Sequence, residues 1–527
     1  MIIPLAVLLA GFALRAAPLT QNRFHPDEAL YATFARLIAS GRDPLLSAIV
    51  VDKPPLSFYL MAAGMALFGQ TEFAARLPTL FASVISIALI YQLGRRLYNR
   101  RAAALAAVIL ALSPMAILFA ITLFTDTLLV AFLLWTFLMI TRQKWSWAGF
   151  AFGLAFACKQ TAIFFLPLVF VVGIIQLFYR RERGERKENI KNSALSAFSA
   201  VNSFLLPAFL SAAAIFIWDY ARHAPISFWV QGYSDNNPGR LVRSNEIWPR
   251  LAAWIDLFHY LTGSRIAELV FIVGLPLLIL FHRRRALAAV YDFILAGFAL
   301  AFAAVYWLFA FNVWDRYLLA LTPIMALLLG HVIDFAISRL QAPSRLQAPS
   351  RLQAPSRLQA APTLITPHAS RITNNHSSRE AIIHHSSFII VSLFIVSLFI
   401  PSLTASRSGY PVGGDHGAYD GIDQIAETLH TVPAGSVLYD HWLSWEWGFY
   451  LFDSPVYVSW FPGPGDLADD LRSFGRASPR YIVAPSWESF TEVQSAIEAA
   501  GFKLEVVQTA NRRDGTPSFT LYRIWPK

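Results

Sequence analysis

Apolar runs recur along the first four hundred positions, and a chain that carries many of them has few ways to fold in water. A hydrocarbon core of about 30 Å needs about 20 residues of helix to cross it. Reading the runs against the charge of the segments between them gives about eleven spans. They lie near 2–19, 74–94, 102–120, 127–141, 146–158, 161–178, 195–219, 266–282, 290–311, 317–338 and 387–404. The fifth is short for a full crossing. Composition agrees: 56% of the 527 residues are hydrophobic and 14% are charged, against roughly 25% charged in soluble domains. The expected fold is a polytopic α-helical membrane protein.

A formal charge of +10 could suggest a nucleic-acid partner, but the cations sit in short clusters between apolar runs. That is the pattern of inward-facing loops. With the N-terminus on the cytoplasmic side, the clusters Arg95 to Arg101, Arg142 to Lys144, Arg180 to Lys191 and His282 to Arg285 all fall inside. The apolar N-terminus lacks a basic start and is followed by further runs, so it reads as a retained helix rather than a signal peptide. The only cysteine, Cys158, lies in an apolar segment, which excludes an intrachain disulfide and thiolate metal sites.

The same parity places residues 20–73, the turn before Asp126 and the segment 220–265 outside. Within 20–73, FHPDEALYATFARLIAS and PPLSFYLMAAGMALFG carry helical apolar spacing, which predicts two interfacial helices in the first outer loop. Four parts are expected along the chain. Residues 1–338 form a transmembrane core, 339–386 a disordered cytoplasmic linker with a tandem Arg-Leu-Gln-Ala-Pro-Ser unit, and 387–404 the last span. Residues 405–527 alternate strand-like pieces (SVLYD, VYVSW, RYIVAP, KLEVVQ, FTLYRI) with helical ones (GIDQIAETLH, SFTEVQSAIEAAG), predicting a small extracytoplasmic α/β domain.

The polar residues expected on the outer face carry the chemistry. In His25-Pro26-Asp27-Glu28-Ala29-Leu30-Tyr31-Ala32, adjacent carboxylates open a predicted helix, where they act as general base or cation ligand, or simply cap the helix. In Asp52-Lys53-Pro54-Pro55, the prolines fix an extended entry to the next helix and Lys53 is placed to meet a phosphate or a lipid headgroup. Asp126, in Thr125-Asp126-Thr127, stands at the mouth of a span, where a carboxylate is costly unless it works or caps. Lys159 and Arg316, the latter in Asp315-Arg316-Tyr317, add two cations on the same face. Together these groups suit chemistry with a phosphate leaving group.

In this order the Asp27-Glu28 pair, Asp52-Lys53-Pro54-Pro55, Thr125-Asp126-Thr127 and Arg316-Tyr317-Leu318-Leu319 resemble the C superfamily of integral-membrane glycosyltransferases. Nearest are the aminoarabinose transferases of lipid A and the protein O-mannosyltransferases. The resemblance covers about residues 1–340. It implies a polyprenyl-phosphate-sugar donor, a lipid, glycan or protein acceptor, and inversion at the anomeric carbon. Carried over by motif, Asp27 deprotonates or orients the acceptor hydroxyl, with Glu28 and Asp126 as further catalytic carboxylates. Lys53, Arg316 and Lys159 meet the donor phosphate, and Tyr31 and Tyr317 fall in the matching motifs as substrate contacts. Asp52 stands where the aminoarabinose transferases have a metal-binding Glu, so it is the expected ligand of any divalent cation. Their metal-binding His has no clear counterpart, since no motif fixes the register of His223 or His259.

The segment Trp229 to Arg240 is rich in aromatics and hydrogen-bonding groups, which makes Gln231, Asp235 and Arg240 candidate sugar contacts, or residues of a solvated loop. Trp442, Trp445, Trp447 and Tyr450 either form a carbohydrate platform or pack the C-terminal domain onto the membrane interface, and packing is favoured. Two other classes compete with the transferase: a transporter or lipid-carrier flippase, and a membrane-anchored binding scaffold. Transporters place charges near the midplane of broken helices, whereas these charges gather at outer helix ends, and eleven spans exceed what anchoring needs.

Overall fold

The computed structural model describes residues 2–183, 190–281, 287–341 and 389–527. The basic cluster 282–285, the middle of 180–191 and all but the first three residues of the linker expected over 339–386 lie outside the described residues, and those three, Arg339 to Gln341, continue the helix Thr322–Gln341. Each of the eleven expected runs carries helix. These helices are α1 (Ile2–Ala16), α4 (Glu72–Leu97), α5 (Arg100–Leu112) with α6 (Pro114–Leu118), α7 (Asp126–Thr141), α8 (Trp145–Cys158), α9 (Leu166–Arg183), α10 (Ile190–Ala221), α13 (Arg265–Phe281), α14 (Leu287–Leu308), α15 (Thr322–Gln341) and α16 (Ile389–Ala405). Among the described residues, five helices are long and apolar enough to cross a membrane, and seven if each of two bent pairs counts as one span.

Both predicted interfacial helices form, as α2 (Pro26–Ala39) and α3 (Leu56–Phe68). The segment read as an outer loop is partly helical, with α11 (Phe228–Asn236) and α12 (Ile247–Phe258). Ser227 caps the first of these, its hydroxyl accepting from the Trp229 N–H. Its polar composition reads as a loop because polar groups also suit a half-exposed helix.

Small residues let the bundle close. A side-chain carbon on Gly149 of α8 would stand 1.9 Å from the Phe204 carbonyl of α10, and one on Gly330 of α15 would stand 2.8 Å from the Ala102 carbonyl of α5. Helix axes approach this closely only where Cβ is missing. Helix α15 runs through the centre of the bundle and is almost wholly buried.

Residues beyond α16 fold as expected into a five-stranded sheet of order β2-β1-β3-β5-β4. Its strands are β1 (Val437–Asp440), β2 (Tyr457–Trp460), β3 (Arg480–Pro485), β4 (Phe502–Asn511) and β5 (Pro517–Pro526). Strand β1 pairs parallel with β2 and β3, and β5 antiparallel with β3 and β4. Helices α17 (Ile422–His430) and α20 (Thr491–Ala499) match the sequence reading. Helices α18 (Ser444–Tyr450) and α19 (Pro464–Phe474) were not foreseen.

Helix α18 docks this domain on the bundle. Gly448 lies against Thr33 of α2, Arg36 donates to the Phe449 carbonyl at 2.6 Å, and the Tyr450 hydroxyl bonds Glu72 at the start of α4. Trp447 is buried in the core of the domain, where its Nε1–H donates to Asp440 at 3.2 Å, and Tyr450 is engaged at this seam. Trp445 stays exposed.

Candidate active site

The segment between α1 and α4 is shaped by helix caps. Pro26 sets the first turn of α2, the His25 Nδ1 accepts from the Asp27 N–H at 3.2 Å, and Glu28 closes the capping box by accepting the His25 N–H at 3.1 Å. The other Glu28 oxygen accepts the Leu123 N–H at 3.0 Å, tying α2 to the turn that leads into Asp126. Burial pushes the Glu28 carboxyl up to about 7, against the pull of Arg76 and of the two N–H donors. Both Glu28 oxygens therefore serve the backbone, and the capping role accounts for this residue.

Asp27, next to it, is free of that duty. Its Oδ2 accepts from Arg316 Nη1 at 2.7 Å, and the two side chains are 39% and 12% exposed. The pair thus lies at a mouth, with the carboxylate on the open side. The Arg316 guanidinium lies over the rings of Trp314 (4.1 Å) and Phe124 (4.8 Å), which hold its plane while leaving its edge free to bond. Asp315 accepts the Arg316 N–H at 2.7 Å with one oxygen and the Gly413 N–H at 2.7 Å with the other, linking Arg316 to the C-terminal domain.

Deeper in, Lys159 Nζ donates to both oxygens of Asp126 at 2.7 Å, with both side chains nearly inaccessible. The ammonium also lies 5.2 Å from the centre of the Tyr317 ring. Lys53 is buried and paired with Asp52, whose carbonyl accepts from Gln160 Nε2 at 3.1 Å. Tyr31 is buried between Phe34 and Phe58, and Asp52, Arg316, Asp27 and Asp126 all act electrostatically on its hydroxyl. Burial drives that hydroxyl well above its ordinary range. Arg316 and Lys53 bear in the same way on Lys159. Residues up to 290 positions apart in sequence thus share one electrostatic neighbourhood: Asp27, Tyr31, Asp52, Lys53, Asp126, Lys159, Arg316 and Tyr317.

Three candidates engage elsewhere. Gln231 Nε2 bonds both oxygens of Asp235 at 3.0 Å, and Arg240 pairs with Glu246 at 2.7 and 2.8 Å, all on exposed surface. The helix that carries Gln231 and Asp235 still reaches the site through its backbone, since a side chain on Gly232 would stand 2.5 Å from the Asp52 carbonyl. Among the described residues, no three His, Cys, Asp or Glu side chains converge as metal ligands. Asp52 pairs with Lys53 and His259 with Glu268, so each of these side chains is engaged by a protein partner. The sequence reading did not single out Gln160, or Phe124 and Trp314 as the seat of Arg316. Gln160 follows Lys159 directly, but nothing local marks it.

Residues 52–206 match the family described as dolichyl-phosphate-mannose-protein mannosyltransferase. YkcB of Bacillus subtilis, whose name assigns it provisionally to the mannosyltransferases, is 32% identical over 131 residues, 24% of this chain and 18% of that protein. The undecaprenyl phosphate-alpha-4-amino-4-deoxy-L-arabinose arabinosyl transferase 2 of Pseudomonas fluorescens is 28% identical over 206 residues, 34% of each chain. These matches therefore span only about a fifth to a third of the curated relatives' own lengths. The crystal structure of ArnT from Cupriavidus metallidurans bound to undecaprenyl phosphate superposes with a TM-score of 0.63 at 15% identity, covering 99% of this chain and 97% of that one. This chain is thus similar to these proteins, in fold along nearly its whole length and in sequence over the stretch that holds Asp52, Lys53, Asp126 and Lys159.

Proposed function

We propose that the chain transfers a monosaccharide from a polyprenyl-phosphate carrier to a hydroxyl of a lipid, glycan or protein acceptor, with inversion, at the outer face of the membrane. The observation that carries the reading is the Asp27–Arg316 pair, 2.7 Å apart at the mouth of a cluster that also holds Lys53 and Lys159. In the resting site Arg316 neutralises Asp27. A donor phosphate draws the Arg316 fork to itself, because bidentate guanidinium–phosphate pairing is stronger than a half-exposed contact with a carboxylate.

Asp27 is then free to take the proton of the acceptor hydroxyl. The acceptor oxygen bonds the anomeric carbon, the bond from that carbon to the phosphate oxygen breaks, and its electron pair leaves on the phosphate beside Arg316 and Lys53. Attack opposite the leaving group inverts the carbon. Lys159 is already neutralised by Asp126 and contributes a rigid floor under Tyr317.

On the same reading the chain crosses the membrane eleven times with its N-terminus inside. Residues 1–338 form the transferase core, 339–386 a cytoplasmic linker, 387–404 the last span and 405–527 an outer domain. Helix α4 supports this orientation: Glu72 at its start bonds Tyr450 of the C-terminal domain, and its last turn carries Arg95 and Arg96.

The test is consumption of radiolabelled undecaprenyl-phosphate sugars by the purified full chain and by Asp27→Asn, each with and without added divalent cation. Turnover by the wild type alone supports the proposal, and a requirement for added cation would restore Asp52 as a ligand. If neither folded protein consumes any donor, the proposal fails and transport of the carrier lipid becomes the reading to test.

A further inference from the structure

The segment that joins α16 to α17, residues 406–421, runs as a strap between the C-terminal domain and the bundle. It is fixed along its length. At its start Asn22 donates to the Ser408 hydroxyl at 2.7 Å. At its end Arg513, in the turn between β4 and β5, pairs with Asp420 at 2.9 Å and donates to the Asn22 Oδ1 at 2.8 Å. Between these anchors the buried Asp415 accepts the N–H groups of Gly417, Ala418 and Tyr419 at 3.0, 2.9 and 3.3 Å, which rolls the chain into a local turn.

Two consecutive glycines of the strap meet the two chain neighbours of the Asp27–Arg316 pair. Gly413 donates its N–H to Asp315 Oδ2 at 2.7 Å, while the other oxygen of Asp315 accepts the Arg316 N–H at 2.7 Å. Gly414 lies against Glu28, where an added side-chain carbon would stand 2.5 Å from Oε2. Gly413 has a φ of +102°, and a carbon on it would stand 3.1 Å from the Leu118 Cβ, so conformation and space both call for glycine. One short piece of chain thus touches both sides of a pair whose members are 289 positions apart in sequence.

We propose that the C-terminal domain aims Arg316 at the donor phosphate through this strap, with Asp315 as the positioning residue. The inference rests on the transferase reading above. Trp314 and Phe124 hold the plane of the guanidinium, but stacking leaves it free to slide within that plane. The Asp315 carboxylate removes this freedom at the backbone, because it grips the Arg316 N–H while being tied to a segment anchored on the C-terminal domain. Bidentate pairing with phosphate has strict geometry, and a small displacement of the fork costs affinity. The sign of one substitution separates positioning from charge. Asp315 is an anion beside the residue that meets a phosphate, so by electrostatics alone Asp315→Asn tightens phosphate binding. By positioning it weakens binding, since the amide turns a donor towards one of the two N–H groups and releases either Gly413 or Arg316.

The experiment measures the Kd of undecaprenyl phosphate for the purified full chain in detergent, by calorimetric titration. It is run as a cycle of wild type, Asp315→Asn, Arg316→Met and the double variant. Asp315→Asn should raise Kd about ten-fold, equivalent to about 1.4 kcal/mol. In the Arg316→Met background the same change should add less than about two-fold, because its effect passes through Arg316. General loosening of the outer face weakens both backgrounds alike, and that result overturns the proposal, as does an unchanged or lower Kd in Asp315→Asn. Asp315→Ser covers the case in which the Asn variant does not fold. Its short hydroxyl can stay on the Arg316 N–H while letting Gly413 go, so the same rise in Kd is expected, and an unchanged Kd again overturns the proposal. Wild type that binds no undecaprenyl phosphate would instead sink the transferase reading, and this inference with it, so the two failures are told apart.

Discussion

Removing the Asp126 carboxylate should leave Lys159 as an uncompensated cation inside the bundle. Two unit charges 2.7 Å apart attract by roughly 6 kcal/mol at an effective dielectric constant of 20. Desolvation of both groups cancels much of that gain, and breaking one side of such a pair typically costs about 3–5 kcal/mol. The upper half of the range is expected here. Both side chains are almost inaccessible, so water cannot replace the carboxylate, and Arg316 and Lys53 already repel the ammonium. Asp126→Asn should therefore lose about 4 kcal/mol in equilibrium unfolding in detergent. Adding Lys159→Met, which removes the stranded charge and keeps the volume, should recover most of the loss, since a neutral isosteric pair is often as stable as a buried ion pair. The cycle of wild type, two single variants and the double variant reads the coupling directly. A single Asp126→Asn variant within about 0.5 kcal/mol of wild type, the range of ordinary surface changes, would refute the reasoning. So would a double variant no more stable than the worse single one.

Glu28 predicts a pH dependence with a definite sign. Its carboxyl lies near 7 in the fold against 4.5 for the free group, so stability from this residue is fully present below 4.5 and is lost as pH rises towards 7. The loss approaches about 3 kcal/mol, and Glu28→Gln should flatten that part of an unfolding-against-pH profile. Gly64→Ala should separate α3 from α4, because the new methyl would lie 2.4 Å from the Ala74 carbonyl; about 1–3 kcal/mol of lost stability is expected, and wild-type behaviour would show that the two helices can part freely. Tyr450→Phe removes the hydroxyl that bonds Glu72 and should weaken docking of the C-terminal domain by about 1–2 kcal/mol. Faster hydrogen exchange in α18 with the sheet core unchanged is the expected signature, and uniform protection would argue against it.

What the sequence determined by itself is what local pattern carries. Apolar runs placed helix at every expected crossing, because a lipid-facing or core-facing helix must be apolar along its length. Alternation placed all five strands of the C-terminal sheet, and His25-Pro26-Asp27-Glu28 announced the start of α2 because caps are written in adjacent residues. Short elements escaped this reading. Helix α18 spans seven residues, two of them Trp, and its face is specified by what it docks against rather than by its own period. Helix α11 looked like loop because its second half, Gln231 to Asn236, is made of polar side chains and a glycine.

Tertiary structure alone decided which polar groups meet. Nothing in sequence distinguishes Glu28, whose oxygens both serve the backbone, from Asp27, which faces Arg316 across 289 positions of chain. Nothing local pairs Lys159 with Asp126, separates Arg240 from the site by binding it to Glu246, or leaves Glu446 buried without a partner. Hydrophobic periodicity is a property of neighbours along the chain, whereas the state of a charge depends on the few groups within several ångströms of it, and helix packing brings those together from distant segments.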